Sequence, residues 1–499
     1  MCGLIAIWGM ADRAAATRAL DVIAHRGPDG EGLLELGEGR GLLGHRRLSI
    51  IDPEGGQQPI APTGQPYAIV ANGMIYNYER LRAALPARAF ATASDSEPIL
   101  HLVHREGVEA VRQLDGMFAF VVASAEHLVA ARDPIGIKPL YVGRRGEALV
   151  FGSEIKALLD WCEDVRPFPP GHVYDSRHGW QRYYEVPRPG GEMGVDEAIA
   201  ALRQTLGEAV RKRLRADVPL GCFLSGGLDS SIITALAKRD LAARGQDELH
   251  SFAVGFPGSP DLANARLVAD YLGTVHHEVA VDAATVRRAL PRVLYHLESW
   301  DQDSVRSSVP CYLVARLAAK RVKVVLTGEG ADELYAGYDY YRDYRDMDAL
   351  QAELRRSITA MHDINLQRVD RMTMAHGLEA RVPFLDTAML DLAMRIPARL
   401  KRFAPDGRPV EKWILRQAFA DLLPEDIVWR QKVQFDQGSG FADFLMAEPG
   451  SAIEAEPSAA RSSEEAHYRR LLMRQFPNAQ ALPPLVTQWD SSARIPDAA

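Results

Sequence analysis

Over residues 1 to about 185, apolar positions come in short runs: 3–7, 41–51, 67–71, 117–124, 128–132 and 149–151. Turn signals such as Gly27-Pro28-Asp29-Gly30 and Asp52-Pro53-Glu54-Gly55-Gly56 separate them. Short strands between such turns predict stacked antiparallel sheets with a few helices, an α+β layout. The stretch Pro187-Arg188-Pro189-Gly190-Gly191 reads as a linker, stiff and then flexible. A helix is predicted over 195–214, where apolar residues recur at helical spacing. The rhythm then changes. Apolar runs at 218–224, 251–256 and 322–327 alternate with helical patterns at 230–239, 264–272 and 332–338. That alternation predicts an α/β domain with a parallel sheet covered on both faces. The domains expected are therefore 1–185 and 195–445. A tail over 446–499, rich in Ala, Glu and Ser, is expected on the surface and partly disordered.

At 499 residues the chain is long enough for two domains. Net charge is −8 and no Lys/Arg block occurs, which argues against nucleic acid or an anionic membrane as partner. No apolar run approaches the ~18 residues of a membrane span, and the start lacks the pattern of a signal peptide. Four cysteines, Cys2, Cys162, Cys222 and Cys311, are scattered without a C-x-x-C pair. That usage suits a reducing, cytoplasmic location and excludes a cysteine-built zinc site.

Candidate chemistry begins at Met1-Cys2-Gly3. Removal of Met1 would give a terminal cysteine, whose own α-amine, with a pKa of roughly 7.7–8.0, acts as base for the thiol. Met-Cys alone is equally an accident of translation start. Asn72-Gly73 offers a side-chain amide and a backbone N–H for an oxyanion, or an ordinary hairpin turn. Arg47 offers a planar fork for a carboxylate, or a surface cation. Asp95 offers a partner for an ammonium, or an N-cap for a helix beginning near Pro98. Further on, Ser225-Gly226-Gly227-Leu228-Asp229-Ser230 joins a predicted strand to a predicted helix. Its glycines and hydroxyls suit a phosphate cradle, and Asp229 suits Mg²⁺. A second loop, Thr327-Gly328-Glu329-Gly330-Ala331-Asp332-Glu333, follows another strand. Loops at the carboxyl ends of parallel strands share an edge, so Asp229 and Asp332 are expected to meet.

These motifs, with His25-Arg26-Gly27-Pro28-Asp29, His45-Arg46-Arg47-Leu48-Ser49-Ile50, Asn72-Gly73-Met74-Ile75-Tyr76-Asn77 and Leu114-Asp115-Gly116-Met117-Phe118-Ala119, stand in the order of a known family. The chain resembles the glutamine-hydrolysing asparagine synthetases of the B type. The resemblance implies a class II amidotransferase domain of the N-terminal-nucleophile fold, followed by an ATP pyrophosphatase domain. It also implies a reaction: ammonia released from glutamine amidates the side chain of aspartate, activated by ATP and Mg²⁺ through an acyl-adenylate. The family carries the ammonia through an internal channel. By resemblance the glutamine site comprises Arg47, Leu48, Ser49, Ile50, Ile51, Asn72, Gly73, Met74 and Asp95, around Cys2. The nucleotide site comprises Leu224, Ser225, Gly226, Gly227, Asp229, Ser230, Val254, Thr327 and Gly328. Asp229 and Asp332 hold the metal, Glu329 is the acid/base residue, and Lys432 neutralises phosphate charge. Ser304 and Arg306 meet the acceptor.

Two residues depart from the family pattern. Met74 stands where Asn-Gly-Glu is usual. If the family's carboxylate side chain holds the glutamine ammonium, Asp95 is left as the main partner and a raised KM is expected, whereas if only the backbone acts there Met74 is harmless. Asp303 stands in place of a neutral threonine and places a negative charge beside an anionic acceptor. Another carboxylate acceptor and a catalytically silent homologue therefore stay open as alternatives, as does a homodimer.

Overall fold

The computed structural model describes residues 2–86, 90–403, 408–446, 462–476 and 478–487. Eleven strands precede residue 183: β1 Gly3–Trp8, β2 Gly30–Leu36, β3 Gly41–Arg47, β4 Ala68–Ile75, β5 Gly116–Ala123, β6 Leu128–Arg132, β7 Tyr141–Arg145, β8 Ala148–Gly152, β9 Glu163–Pro167, β10 His172–Asp175 and β11 Gly179–Arg182. They form two antiparallel sheets, ordered β2-β3-β1-β8-β7-β9 and β11-β10-β6-β5-β4. The period-2 alternation of strand side chains explains the stacking. Leu4 and Ala6 of β1 join Val70, Val121 and Phe151 in the layer between the sheets. Ile5 and Ile7 point the other way, onto Ala16 and Leu20 of the Arg13–Val22 helix. On the second sheet, Val70 and Val121 turn inward, while Ile69 and Phe120 turn outward into the core that holds Ile99 and Leu100 of the Glu97–Glu106 helix.

One alternative is removed here. Asn72-Gly73 is not a turn. Both residues lie in the ladder of β4, paired with Ala119 and Phe118 of β5. The glycine is needed for close approach: a Cβ on Gly73 would stand 2.1 Å from the Met117 carbonyl oxygen.

The third sheet is parallel throughout, with β12 Leu220–Phe223, β13 His250–Gly255, β14 Val275–Ala280, β15 Val324–Leu326 and β16 Glu379–Arg381. Its order is β14-β13-β12-β15-β16. The chain starts in the middle at β12, winds outward through β13 to β14, and returns on the other side with β15. The winding reverses between β12 and β15, so the loops leaving their carboxyl ends diverge and open a crevice. The Val195–Arg213 helix, expected over 195–214, buries Leu202 and Leu206 in the common core. In the expected tail, the Ser463–Met473 helix buries Tyr468 and Leu472, whereas 447–461 and 488–499 lie outside the described residues.

The two halves meet through buried charge. Glu154, just after β8, is contacted by Arg26 at 2.7 Å, Lys156 at 2.6 Å and Arg371 at 3.2 Å. Arg371 also reaches Glu298 at 2.8 Å, and Arg26 reaches Asp370 at 2.8 Å. Glu298 in turn accepts from the backbone nitrogens of Ile155 and Lys156. Arg26, Glu154 and Glu298 have no exposure and Arg371 only 1%. Removing one partner of such a set strands the others without water. Arg371→Met is therefore expected to cost about 3–5 kcal/mol, read as a lower urea midpoint. An unchanged midpoint would show that Glu154 and Glu298 do not depend on it.

Candidate active site

Cys2 stands at the start of β1, almost wholly buried. Its backbone nitrogen donates to Asn72 Oδ1 at 2.9 Å, and its Sγ faces the Leu48 carbonyl at 3.9 Å. The other end of the Asn72 amide, Nδ2, is buried without a hydrogen-bond partner. A buried donor left open beside a nucleophile is what an oxyanion requires. Burial pushes the Cys2 thiol above its ordinary value, and the positive amino terminus offsets part of that rise. The recess next to it, about 30 Å³, is lined by Leu48, Ile50, Ile51, Gly73, Met74 and Asp95 as well as Arg47. Ser49 is not in that lining; its backbone nitrogen turns to Asp29.

Arg47 is held by the loop that follows β3. Its guanidinium donates to the carbonyls of Ile51, Asp52 and Pro53. Asp95 accepts from the Ile75 backbone at 2.9 Å, while Ser96, not Asp95, is the N-cap of the Glu97–Glu106 helix. Burial holds the Asp95 carboxyl up at about 6. The Met74 side chain is packed in apolar core and brings no charge. Sequence reasoning missed Glu379, which enters this recess from β16 of the other half. Burial acts against its charge, but the amino terminus, Arg381 and Lys138 more than compensate and hold it at about 2. No local pattern signals it, because only the packing of the two halves brings it there.

The crevice between the β12 and β15 loops is a cavity of about 580 Å³. Gly226 makes the turn out of β12 at φ +70°, and a Cβ there would stand 2.4 Å from the Ala265 nitrogen. Gly227 is the N-cap of the Leu228–Ala243 helix and offers no side-chain cap, so the first helical N–H groups face the crevice. The Ser225 and Ser230 hydroxyls lie 3.2 Å apart beside them. Leu224, Val254, Thr327 and Gly328 line the same space.

Asp229 and Asp332 do converge, on a residue that sequence reasoning missed. Lys412 Nζ lies 2.5 Å from an oxygen of each. Lys412 is held at φ +54°, unusual for a side chain of this size and a sign of local strain. Lys432 Nζ reaches the other Asp332 oxygen at 2.8 Å. Burial opposes the Asp332 charge, but the two lysines hold its carboxyl well below the usual range. Asp229 Oδ1 has no hydrogen-bond partner. Two carboxylates that converge on one point, with the second oxygen of Asp229 still open, fit Mg²⁺ shared with phosphate oxygens.

Glu329, at the far side, receives both of its contacts from Arg368 Nη2 at 2.7 Å. Glu333, quoted in the sequence motif but given no role, lines the cavity with its carboxyl raised to about 7 by burial and by Asp332 and Glu329. Asp303 and Ser304 also line it. Arg306 does not: its guanidinium is engaged by Glu464 of the Ser463–Met473 helix.

Sequence comparison places this geometry. The asparagine synthase profile matches residues 201–348 and 342–491, and a glutamine amidotransferase domain profile matches 1–174. The chain belongs to the asparagine synthase family. A glutamine-hydrolysing asparagine synthetase of Triphysaria versicolor is 40% identical over 516 residues, covering 95% of this chain and 86% of the relative. That of Sandersonia aurantiaca is 39% identical and covers 99% of each. Asparagine synthetase 3 of Arabidopsis thaliana is 42% identical, covering 89% of this chain and 80% of its own length. The antiparallel stacked sheets and the parallel sheet are the two architectures expected of the family's domains.

In this family member a lysine lies between the two acidic residues. A unit charge about 4 Å away at an effective dielectric near 20 is worth roughly 4 kcal/mol. Lys412→Met is therefore expected to tighten Mn²⁺ binding, without nucleotide, by about tenfold or more. Free Mn²⁺ followed by electron paramagnetic resonance measures it. Equal affinity in the two proteins would mean that Asp229 and Asp332 do not form one cation site.

Proposed function

We propose that this chain is a glutamine-hydrolysing asparagine synthetase with two separate sites. What carries the reading is the convergence of Asp229 and Asp332 in the crevice while Cys2, bonded to the buried Asn72, borders a distinct recess.

In the recess, loss of Met1 frees the Cys2 amine, which Asn72 Oδ1 holds in place. A thiol kept neutral by burial gives its proton to that amine as sulfur attacks the glutamine side-chain carbonyl. Asn72 Nδ2, with the Gly73 backbone, donates to the developing oxyanion. Ammonia leaves and a glutamyl thioester remains for water to hydrolyse. Arg47 takes the substrate carboxylate and Asp95 the ammonium, with Met74 contributing no charge.

In the crevice, Leu224 and Val254 supply apolar contact for adenine. Ser225, Gly227, Ser230 and the open helix N-terminus cradle the pyrophosphate end of ATP. Asp229 and Asp332 would hold Mg²⁺, which when bound neutralises phosphate charge. Lys412 and Lys432 sit where they counter the same phosphates. The acceptor carboxylate, activated as an acyl-adenylate, faces Glu329, which Arg368 keeps in place for the arriving ammonia. Ammonia must travel shielded from water, since at neutral pH most of it would be protonated and no longer a nucleophile.

A second reading, another carboxylate as acceptor, is favoured by one observation: Asp303 lines the cavity while Arg306 is turned from it. Pyrophosphate release with ATP, Mg²⁺, glutamine and a panel of carboxylates decides. Turnover with aspartate supports the first reading, turnover only with another acid supports the second, and none at all leaves a silent homologue.

Cys2→Ala is expected to abolish glutamine-dependent synthesis and leave ammonia-dependent synthesis standing. Asp229→Asn should stop both syntheses and spare glutaminase. Joint loss of all activities in either variant would contradict separable sites.

Asp95 gives a pH signature. Its folded carboxyl titrates at about 6 rather than 3.8, so it is protonated, and useless to an ammonium, below that value. Glutamine KM should rise as pH falls through about 6, and the Asp95→Asn profile should be flat there. Because the folded chain keeps a proton that the unfolded chain has lost, Asp95 also disfavours folding increasingly as pH rises from 3.8 to about 6.

A further inference from the structure

Arg306 is kept out of the crevice by a carboxylate. Its Nε donates to Glu464 Oε1 at 3.0 Å, and its Nη2 donates to Glu464 Oε2. This is the two-pronged geometry by which arginine holds a substrate carboxylate. Glu464 is buried and firmly placed. It lies in the first turn of the Ser463–Met473 helix, and Tyr468, one turn on, donates its hydroxyl to Glu464 Oε1 at 2.7 Å. Two more contacts tie this helix to the start of the Gln302–Ala318 helix that carries Arg306. Ser462 Oγ donates to Gln302 Oε1 at 2.6 Å, and the Gln302 backbone donates to Glu465 at 3.2 Å.

Arg306 is nevertheless close to the cavity. Asp303, Ser304 and Ser307 of its own helix line it. So does Asp436, whose carboxyl burial raises while Arg368 and Arg306 pull it back. Arg306 Nη1 itself lies 3.7 Å from the Asp303 carboxylate, one turn back on the same helix and in the lining of the cavity.

We propose that Glu464 is a specificity-determining residue: an internal carboxylate that occupies Arg306 until the carboxylate of an acceptor replaces it. The inference rests on the reading of Arg306 as the acceptor's clamp. Exchange of one carboxylate for another keeps the arginine paired throughout. Its consequence is selective. An acceptor without a carboxylate able to compete on the same fork leaves Glu464 in place. The apparent acceptor affinity is scaled down to the fraction of molecules in which Arg306 is free of Glu464.

Ammonia-dependent pyrophosphate release with aspartate as the varied acceptor tests this. Glu464→Gln, which keeps the shape and removes the charge, is expected to lower the aspartate KM by about three- to tenfold, with kcat and the ATP KM held. Tyr468→Phe removes only the hydroxyl donor to Glu464 and should move the aspartate KM in the same direction by less. It decides the matter if Glu464→Gln fails to fold. An aspartate KM that is unchanged or higher in the folded variants overturns the proposal. Arg306→Gln separates the two levels. If it leaves the aspartate KM unmoved, Arg306 is not the clamp and the acceptor reading itself fails. If it raises that KM while Glu464→Gln does not lower it, only the role of Glu464 falls.

Discussion

The relation between the two halves depends on a cluster of charges buried almost completely from water. Arg26, Glu154 and Lys156 come from the stacked-sheet half, and Glu298, Asp370 and Arg371 from the parallel-sheet half. Bringing such groups together means stripping their hydration, which is recovered only where the geometry of every partner is good. The cluster therefore acts less as glue than as a gauge. A small slip between the halves would leave several ions without partners at once, whereas an apolar seam of equal size would tolerate it. Glu298 sharpens the constraint, because it sits in left-handed backbone at φ +60° at the end of the Ala283–Leu297 helix and aims its carboxylate at the chain just after β8.

With that relation held, ordinary fold geometry does the rest. The reversal of winding between β12 and β15 opens the crevice, and the period of β4 aims Asn72 at Cys2. Charge is balanced locally in each place. The crevice between the β12 and β15 loops keeps two carboxylates and two lysines in contact with one another. In the cysteine recess, the polar donor left open is an amide, which takes no proton and carries no charge to be screened.

The sequence made the architecture legible, for local reasons. Apolar runs of alternating period marked the strands, and the glycine-serine turn between strand and helix marked one wall of the crevice. For Asn72-Gly73 the sequence left a turn open as an alternative, because a glycine needed for close packing against Met117 looks the same as a glycine needed for a turn. Lys412, Glu379 and Arg368 were not legible, since each enters its site from an element distant in sequence and carries no motif of its own. Arg306 was recognisable by type, but its engagement by Glu464 depends on a helix 158 residues away in sequence, in a segment whose composition suggested only a surface tail.

The short strand β16 has a consequence of its own. Glu379 borders the cysteine recess, and two residues later the Arg381 carbonyl accepts from the Thr327 backbone at 3.0 Å, at the root of the loop that carries Glu329 and Asp332. Two residues of strand span only about 7 Å. One short stretch of backbone thus ties the border of the recess to the root of a loop that lines the crevice, and the spacing between those two points is set by main chain rather than by side chains.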